Sequence, residues 1–130
     1  MIDPKHEQIV SHLFTRACII LRYPDLKFKP MQGRDGGVGQ VKRLILGHTN
    51  LKNKTVTIDI YTPKFRKPKS INSILRVLAH EIAHHQKLPY RQKYKGHLIN
   101  RQHYPIFYEQ VTKNIEKFKK DEVLGEYFKQ

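Results

Sequence analysis

Residues 70–89 read SINSILRVLAHEIAHHQKLP and contain the pattern H-E-x-x-H at residues 80–84. Apolar residues recur in this stretch at helical spacing and form one stripe, made of Ile71, Ile74, Leu75, Leu78 and Ile82. Ser70 suits the N-cap of a helix, and Pro89 cannot continue one. We therefore predict an amphipathic helix that starts after Ser70, ends before Pro89 and carries the two histidines of the pattern opposite its apolar stripe.

The two histidines of this pattern are predicted to bind a zinc ion. His80 and His84 stand four residues apart, which places both imidazoles on the same side of a helix. Neutral imidazole nitrogens suit Zn²⁺ at about 2.0–2.1 Å. Glu81 can reach a metal-bound water without binding the metal, and we predict that it acts as the general base toward that water. The metal would lower the pKa of the water to about 7, so that hydroxide attacks a peptide carbonyl.

A catalytic zinc usually takes three protein ligands and keeps a fourth position open, so the pattern needs one more ligand. The downstream candidates are His97, His103 and Glu109. His103 is favoured, because it comes just before a helix that should start at Pro105 and anchor Phe107 in the core. His97 and Glu109 remain alternatives, whereas His85 is adjacent to the pattern but points off the ligand face.

The remaining pattern predicts an α+β fold around the metal helix. Asp3 can cap and Pro4 can begin an N-terminal helix. Alternating apolar residues predict a strand over Thr55–Tyr61. This strand should form a hairpin with Val41–Leu46 across a loop at residues 49–54, within a small twisted antiparallel sheet.

Connections and one more helix complete the predicted domain. Residues 25–40 carry turn residues, and residues 90–102 read as a polar, basic loop. The third helix starts at Pro105 and buries a stripe that consists of Phe107, Val111, Ile115 and Phe118. Residues 121–130 are expected to add a turn of helix or to fray. We predict a single domain over residues 1–130, since this length suits one core.

This order of elements, with H-E-x-x-H on one helix and H-x-x-x-F opening the next, resembles the SprT-like zinc metallopeptidases. That family includes the Spartan proteases, which degrade proteins crosslinked to DNA, and the resemblance covers about residues 38–118. It implies a minimal zincin in which His80 and His84 bind zinc, Glu81 is the general base, and His103, followed by Phe107, is the third ligand. It also implies a zinc-dependent endopeptidase whose substrates are proteins bound or crosslinked to DNA.

The chain departs from the family at two points. Tyr104 follows His103 where the family usually has a glycine, and Lys95-Gly96-His97 looks like the family's Gly-His, so His97 stays a rival ligand. Many members also carry a zinc ribbon for DNA, and a single cysteine, Cys18, is too few for such a ribbon. Contact with DNA must then come from the basic surface of the domain.

The charge of the chain points to a polyanionic partner. Lys and Arg total 25 against 11 acidic residues, a net charge of +14. Two basic stretches flank the metal helix in sequence: Arg66, Lys67 and Lys69 precede it, and Arg91, Lys93 and Lys95 follow it. Tyr90 and Tyr94 are interleaved with the second stretch, a mixture that suits phosphate contacts with base stacking on single strands. We predict DNA, single-stranded or structured, as a partner of these residues.

The peptide substrate should bind by strand addition, as in zincins generally, with Thr55–Tyr61 or its hairpin partner as the edge. A phenol could stabilise the negative charge that develops on the carbonyl oxygen. The candidates are Tyr61, Tyr94, Tyr104 and Tyr108.

Other features limit the location and leave alternative functions open. The first residues do not resemble a signal peptide, and no apolar run approaches the roughly 18 residues of a membrane span, so we expect a cytoplasmic protein. We also expect a monomer.

One alternative function is that of a basic nucleic-acid-binding module whose zinc is structural and closed by a fourth ligand such as His97. Another is a regulatory metallopeptidase that cuts a repressor. A metal-dependent nuclease is disfavoured, because acidic residues are sparse.

Overall fold

The computed structural model of the chain describes residues 3–31, 47–62 and 67–129. This described part is α+β, as predicted, with three α-helices, a three-stranded sheet and a two-stranded sheet. Within these ranges, none of the helices is both long enough and apolar enough to cross a membrane.

The first helix, α1, spans Pro4–Leu21 and starts where the sequence predicts. The Asp3 carboxylate accepts hydrogen bonds from the backbone N–H groups of Lys5 and His6, and Pro4 occupies the first turn. The helix ends at Arg22, whose backbone is left-handed with a φ of 63°. Its buried side chains contribute to the main core, among them Val10, Leu13, Phe14 and Ala17.

The three-stranded sheet consists of β1 (Lys27–Met31), β2 (Gly47–Asn50) and β3 (Thr55–Asp59), in the order β1-β3-β2. β2 pairs with β3 antiparallel, but β1 pairs with β3 parallel, so the prediction of an antiparallel sheet is wrong. β1 lies in the segment that the sequence predicts as turns. Pro30 and two lysines are uncommon in strands, so the sequence pattern did not indicate one here. Pro30 is tolerated because β1 is an edge of the described sheet.

The predicted hairpin is only partly within the described residues. Val41–Leu46 lies outside them, as does most of the segment 25–40. Thr49 and Asn50 belong to β2 rather than to the predicted loop. The Asn50 side chain accepts hydrogen bonds from the backbone of the next turn, and that local cap ends the strand.

The metal helix, α2, spans Ile71–Gln86 and confirms the prediction at both ends. The Ser70 hydroxyl accepts a hydrogen bond from the backbone N–H of Ser73, 3.2 Å away. Four residues of the predicted stripe are buried, namely Ile74, Leu75, Leu78 and Ile82, while Ile71 is half-buried. α2 packs against β2 and β3 on one side and against the third helix on another.

The third helix, α3, spans Pro105–Lys120. Phe107 and Phe118 are fully buried, as predicted, whereas Val111 and Ile115 are half-buried. Asn114 ties α3 to α2, because its amide nitrogen donates to the Ala79 carbonyl at 3.1 Å and to the Gln86 side chain at 2.7 Å.

A short 3-10 helix over Leu124–Phe128 follows α3 and packs on the core through Leu124, which is fully buried. The Asp121 carboxylate accepts from the backbone N–H groups of Val123 and Leu124 and pairs with Arg16 of α1 at 2.7 Å. Of the two predicted outcomes for this region, the extra helical turn is therefore correct.

The segment predicted as a loop over residues 90–102 is instead a β-hairpin. β4 (Tyr90–Tyr94) pairs antiparallel with β5 (His97–Arg101). Lys95 and Gly96 form the turn with φ angles of 50° and 80°. Two consecutive positive φ values are those of a type I′ turn, which matches the twist of a two-residue hairpin. Lysine is an unusual residue for the first position, and this explains why the sequence pattern missed the hairpin.

Candidate metal centre

Three imidazoles meet at one end of α2. His80 and His84 lie one helical turn apart on α2, and His103 lies two residues before the start of α3. Each ring offers one nitrogen, and the three nitrogens lie within 4.8 Å of one another. His80, His84 and His103 therefore form a group that could hold a metal ion. Of the rival ligands, His97 pairs with Tyr94 at the tip of the β4–β5 hairpin, and Glu109 is exposed on α3; neither is in the group.

The spacing of this group fits a small tetrahedral ion. The Nε2 atoms of His84 and His103 lie 3.2 Å apart. Two ligands of a tetrahedral zinc ion at the usual Zn–N distance are about 3.3 Å apart. A distance of this size also suits a hydrogen bond between two rings, but a hydrogen bond joins only two nitrogens. Convergence of the third nitrogen, from His80, is the feature expected of a metal site.

Phe107 forms an apolar support for all three rings. Its ring stacks on His84 with a centroid distance of 4.4 Å and an interplanar angle of 27°. His80 and His103 contact the same ring in an edge-on geometry, with centroid distances of 5.0 and 5.2 Å. Phe107 is itself fully buried, so its ring is fixed by the core and in turn restricts the orientation of the imidazoles.

Burial favours the neutral, metal-binding state of His80 and His84 by lowering the pKa of each ring. It is the largest cause of a lowered pKa for His84, which falls to about 4, and the neighbouring His80, His103 and His85 lower that pKa further. Burial and then His103 also lower the pKa of His80. Neutral rings are therefore favoured near neutral pH, and a neutral ring nitrogen is a metal ligand.

Glu81 lies beside the histidines with only 6% of its surface exposed. Burial raises the pKa of its carboxyl group to about 7. The backbone of β2 lies close by, because a Cβ atom built on Gly47 would lie 3.5 Å from a carboxylate oxygen of Glu81 and 3.0 Å from the Thr57 carbonyl oxygen. Gly47 therefore lies beside the carboxylate, and a side chain at this position would be crowded by the Thr57 carbonyl and by Val77 Cγ1, 3.0 Å from the added Cβ.

An open cleft of about 300 Å³ contains this group. Its base is formed by the three histidines and Glu81. Residues 47–49 of β2, followed by Leu51, form one side, and Pro89 and Gln102 form another. Pro89 and Gln102 flank the two ends of the β4–β5 hairpin, so the hairpin emerges from the wall of the cleft.

The strand expected to bind substrate needs a correction. Thr55–Tyr61 cannot be the edge, because β3 is the central strand of the sheet. Its hairpin partner β2 is an edge among the described residues and borders the cleft. Thr49 of β2 is also tied to His85, whose ring contacts the Thr49 hydroxyl. His85 thus supports β2 and, as predicted, stays outside the metal group.

The four candidate tyrosines have different surroundings. Tyr61 is buried far from the cleft, where its hydroxyl bonds to Asp3 and Glu7. The Tyr104 hydroxyl donates to the Leu88 carbonyl at 2.8 Å, and Tyr94 lies near the tip of the hairpin. Tyr108 is half-exposed, and its ring stacks near His103 at 6.0 Å.

The predicted nucleic-acid residues lie in two parts of the chain. Arg66 lies outside the described residues. Lys67 and Lys69 precede α2 and the hairpin cations follow it, on either side of a helix of 16 residues. That length is about 24 Å.

Within the hairpin, Arg91 and Lys93 alternate in sequence with Tyr90 and Tyr94. Because alternate residues of a strand point to opposite faces, Arg91 and Lys93 lie on the other side of the ribbon from the two tyrosine rings. Lys95 is the predicted cation that stays beside a tyrosine, with its ammonium 5.4 Å from the centre of the Tyr94 ring.

Sequence reasoning missed two groups that shape the site. Asn114 clamps α3 against α2 near the metal group, but an isolated asparagine in a helix carries no recognisable signal. Gly47 and Gln102 line the cleft from segments whose pairing the sequence did not predict. The described chain thus brings three possible ligands, one carboxylate and one edge strand to a single cleft. No protein-family model, curated protein or solved structure matches this chain.

Proposed function

We propose that this chain is a zinc-dependent endopeptidase, a minimal zincin of the SprT-like kind, that acts on proteins bound or crosslinked to DNA. One observation carries the proposal: three imidazole nitrogens and a nearly buried carboxylate share the base of one open cleft. A structural zinc site is closed by four protein ligands, whereas the group found among the described residues has three. That count favours an open coordination position and therefore catalysis.

In this proposal His80, His84 and His103 hold one Zn²⁺ ion. When bound, the ion supplies the Lewis acidity that makes water a nucleophile at neutral pH. Glu81 takes a proton from the attacking water and delivers it to the nitrogen of the leaving amine. The carboxylate then returns to its starting state, as a general base and acid must in each turnover.

The position of β2 supports an extended peptide as the substrate. A peptide that pairs with the described edge of β2 would pass over Glu81, because Gly47 of that strand lies beside the carboxylate. Pairing of this kind uses backbone hydrogen bonds and discriminates weakly between sequences. Broad specificity suits an enzyme that removes many different proteins from DNA.

Tyr108 is our choice for the residue that stabilises the oxyanion. It is half-exposed beside His103, and its ring lies 6.5 Å from that of His80. A phenol at this position can donate a hydrogen bond to charge that develops near the metal group. We further propose that the enzyme acts as a monomer in the cytoplasm, where nucleic acid is the polyanion available to its basic surface.

The test compares Glu81→Gln with Glu109→Gln. Both changes remove one carboxylate, but Glu109 is exposed on α3 and outside the metal group. The zinc-loaded proteins are incubated with casein and with a protein crosslinked to DNA, and cleavage is followed on gels. General acid–base catalysis contributes about 10²–10⁴-fold, so Glu81→Gln should lose about that much activity while retaining zinc. Cleavage by Glu81→Gln at the wild-type rate, or no cleavage by the zinc-loaded wild type, would contradict the proposal.

A second comparison tests the ligand set through His103→Ala and His97→Ala. Zinc content after dialysis should fall in the first variant, because only His103 joins the group with His80 and His84. It should stay at one ion per chain in the second. Loss of zinc from His97→Ala alone would move the third ligand to the hairpin and remove the basis for the SprT-like assignment.

A further inference from the structure

The β4–β5 hairpin stands apart from the rest of the domain, and the proposed chemistry does not use it. All five residues of β4 are exposed, as are His97, Leu98 and Asn100 of β5. The two strands contact each other and hardly any other element. A protruding ribbon of this kind adds little to the core, so its sequence is free to serve binding.

The two faces of the hairpin differ in chemistry. Residues that pair directly across an antiparallel ladder share a face. Arg91 pairs with Asn100, and Lys93 pairs with Leu98, so these four residues form one side, which we name the ribbon face. Leu98, near the turn, is 70% exposed.

The opposite face carries the tyrosines, which are exposed but have ring contacts within the protein. The Tyr90 ring packs on the ring of Tyr104 at 5.0 Å, close to the cleft. The Lys95 ammonium lies 5.4 Å from the centre of the Tyr94 ring. Arg101 also belongs to this side, where its guanidinium donates to the Gln92 side chain. Within the part of the chain that the structure describes, the side chains of the ribbon face form no hydrogen bond, ion pair or ring contact, so this face is the more open side of the hairpin for a partner.

The charge of this region selects a polyanion. No acidic residue occurs between Glu81 and Glu109, and the cations of that interval are Lys87, Arg91, Lys93, Lys95 and Arg101. Among the described residues, neither Arg91 nor Lys93 forms an ion pair. Their Cα atoms are two strand residues apart, about 6.7 Å, which lets each contact a separate phosphate of one strand.

The geometry points to duplex DNA, and we propose that the ribbon face binds in its major groove. Two paired strands lie about 4.8 Å apart, and a major groove about 12 Å wide and 8.5 Å deep admits such a ribbon. Asparagine pairs with adenine, and an apolar side chain contacts the thymine methyl group. The ribbon face presents one residue of each kind, Asn100 and Leu98, beside the two cations that would contact phosphates. This inference deepens the proposed function, since it names the surface that would hold DNA beside the cleft.

The test measures DNA binding by the whole zinc-loaded chain with the Glu81→Gln change. This change removes the proposed general base, so the binding signal does not depend on hydrolysis. Fluorescence anisotropy follows a labelled DNA duplex, an RNA duplex of the same sequence and the DNA single strand. The variant Arg91→Ala/Lys93→Ala removes two cations from the ribbon face. Its matched control, Lys113→Ala/Lys117→Ala, removes two exposed cations from α3.

Two phosphate contacts contribute about 1.8 to the slope of log K against log salt, because each contributes about 0.9. The ribbon variant should lose that part of the slope and bind the DNA duplex at least tenfold more weakly at 0.1 M salt. The α3 control should change by less than threefold. A charge-preserving swap, Arg91→Lys/Lys93→Arg, should retain affinity within a factor of three and so separates lost charge from a disrupted hairpin.

Four results would overturn the inference. The first is binding of the RNA duplex as tightly as the DNA duplex, because the deep, narrow major groove of RNA excludes a ribbon. Three other results would show that the ribbon face is not a site for duplex DNA. They are tighter binding of the single strand, equal weakening of the two alanine variants, and displacement of the duplex by poly-glutamate at matched charge. Because binding is scored without hydrolysis, loss of DNA binding and loss of peptidase activity are separate outcomes.

Discussion

Replacing Phe107 with leucine should loosen the metal group while the rest of the core stays nearly intact. The phenyl ring is fully buried and touches all three imidazoles, most closely His84 at 4.4 Å. Leucine fills much of the same volume but offers no flat surface for the rings. The change therefore tests whether the aromatic support, rather than burial alone, orients the ligands.

The expected size follows from the three ring contacts. An aromatic pair contributes about 0.5–1.5 kcal/mol beyond the area it buries. Loss of three such contacts would remove about 1.5–4.5 kcal/mol from the arrangement of the imidazoles. Supporting groups around metal ligands typically change metal affinity by about 10–100-fold. We expect the zinc Kd of Phe107→Leu to rise by that factor.

Phe118→Leu is the matched control, because Phe118 is equally buried but has no contact with the histidines. Without metal, Phe118→Leu should unfold about 1–1.5 kcal/mol more easily, and Phe107→Leu should lose more than that, because its ring contacts with the imidazoles exist before an ion binds. Both values are measured by urea titration with circular dichroism in a chelator. Zinc affinity is measured by competition with a coloured chelator. A zinc Kd for Phe107→Leu within twofold of that for Phe118→Leu would refute the idea that the ring orients the ligands.

Two further changes test the chemistry and the packing of the end of α3. Tyr108→Phe should lower kcat by about 10²–10³-fold with little change in zinc content, because it removes only the proposed oxyanion donor; an unchanged kcat would return Tyr108 to a packing role. Hydrogen bonds from Arg16 are the largest cause that holds the pKa of Asp121 below its usual value. This carboxylate therefore stabilises the fold above about pH 4, and its contribution is lost as the pH falls through the lowered pKa. The difference in unfolding free energy between wild type and Asp121→Asn should accordingly be present at neutral pH and vanish in strong acid, and a difference that persists there would contradict the assignment.

The α-helical part of the site could be predicted because its determinants are local. The spacing of His80 and His84 fixes their common side once α2 forms, and the apolar stripe together with Ser70 predicts α2. His103 could be favoured over His97 because Phe107, near the start of the next helix, is expected to be buried and so to fix the segment that carries His103. The structure places that side chain in direct contact with the rings.

The β structure could not be predicted to the same extent, because its determinants are distant or hidden. β1 has two lysines and a proline in five residues, and it becomes a strand only through parallel pairing with β3 and contact of Phe28 with Phe14 of α1. The β4–β5 hairpin is exposed on both faces, so it lacks the alternation of apolar and polar residues that marks a half-buried strand.

The hairpin lies in sequence between the second and third proposed ligands, yet contacts outside the hairpin also hold His103 in place. α3 is held against α2 by Asn114, which bonds to the Ala79 carbonyl and the Gln86 side chain. The Tyr104 hydroxyl, next to His103, bonds to the Leu88 carbonyl just beyond α2 at 2.8 Å. These contacts connect the two helices directly, so the ribbon between them can engage DNA without displacing the third ligand. A protease of the proposed kind, working beside a bound duplex, would need such contacts, because a ligand carried by the ribbon itself would move with every change in the bound DNA.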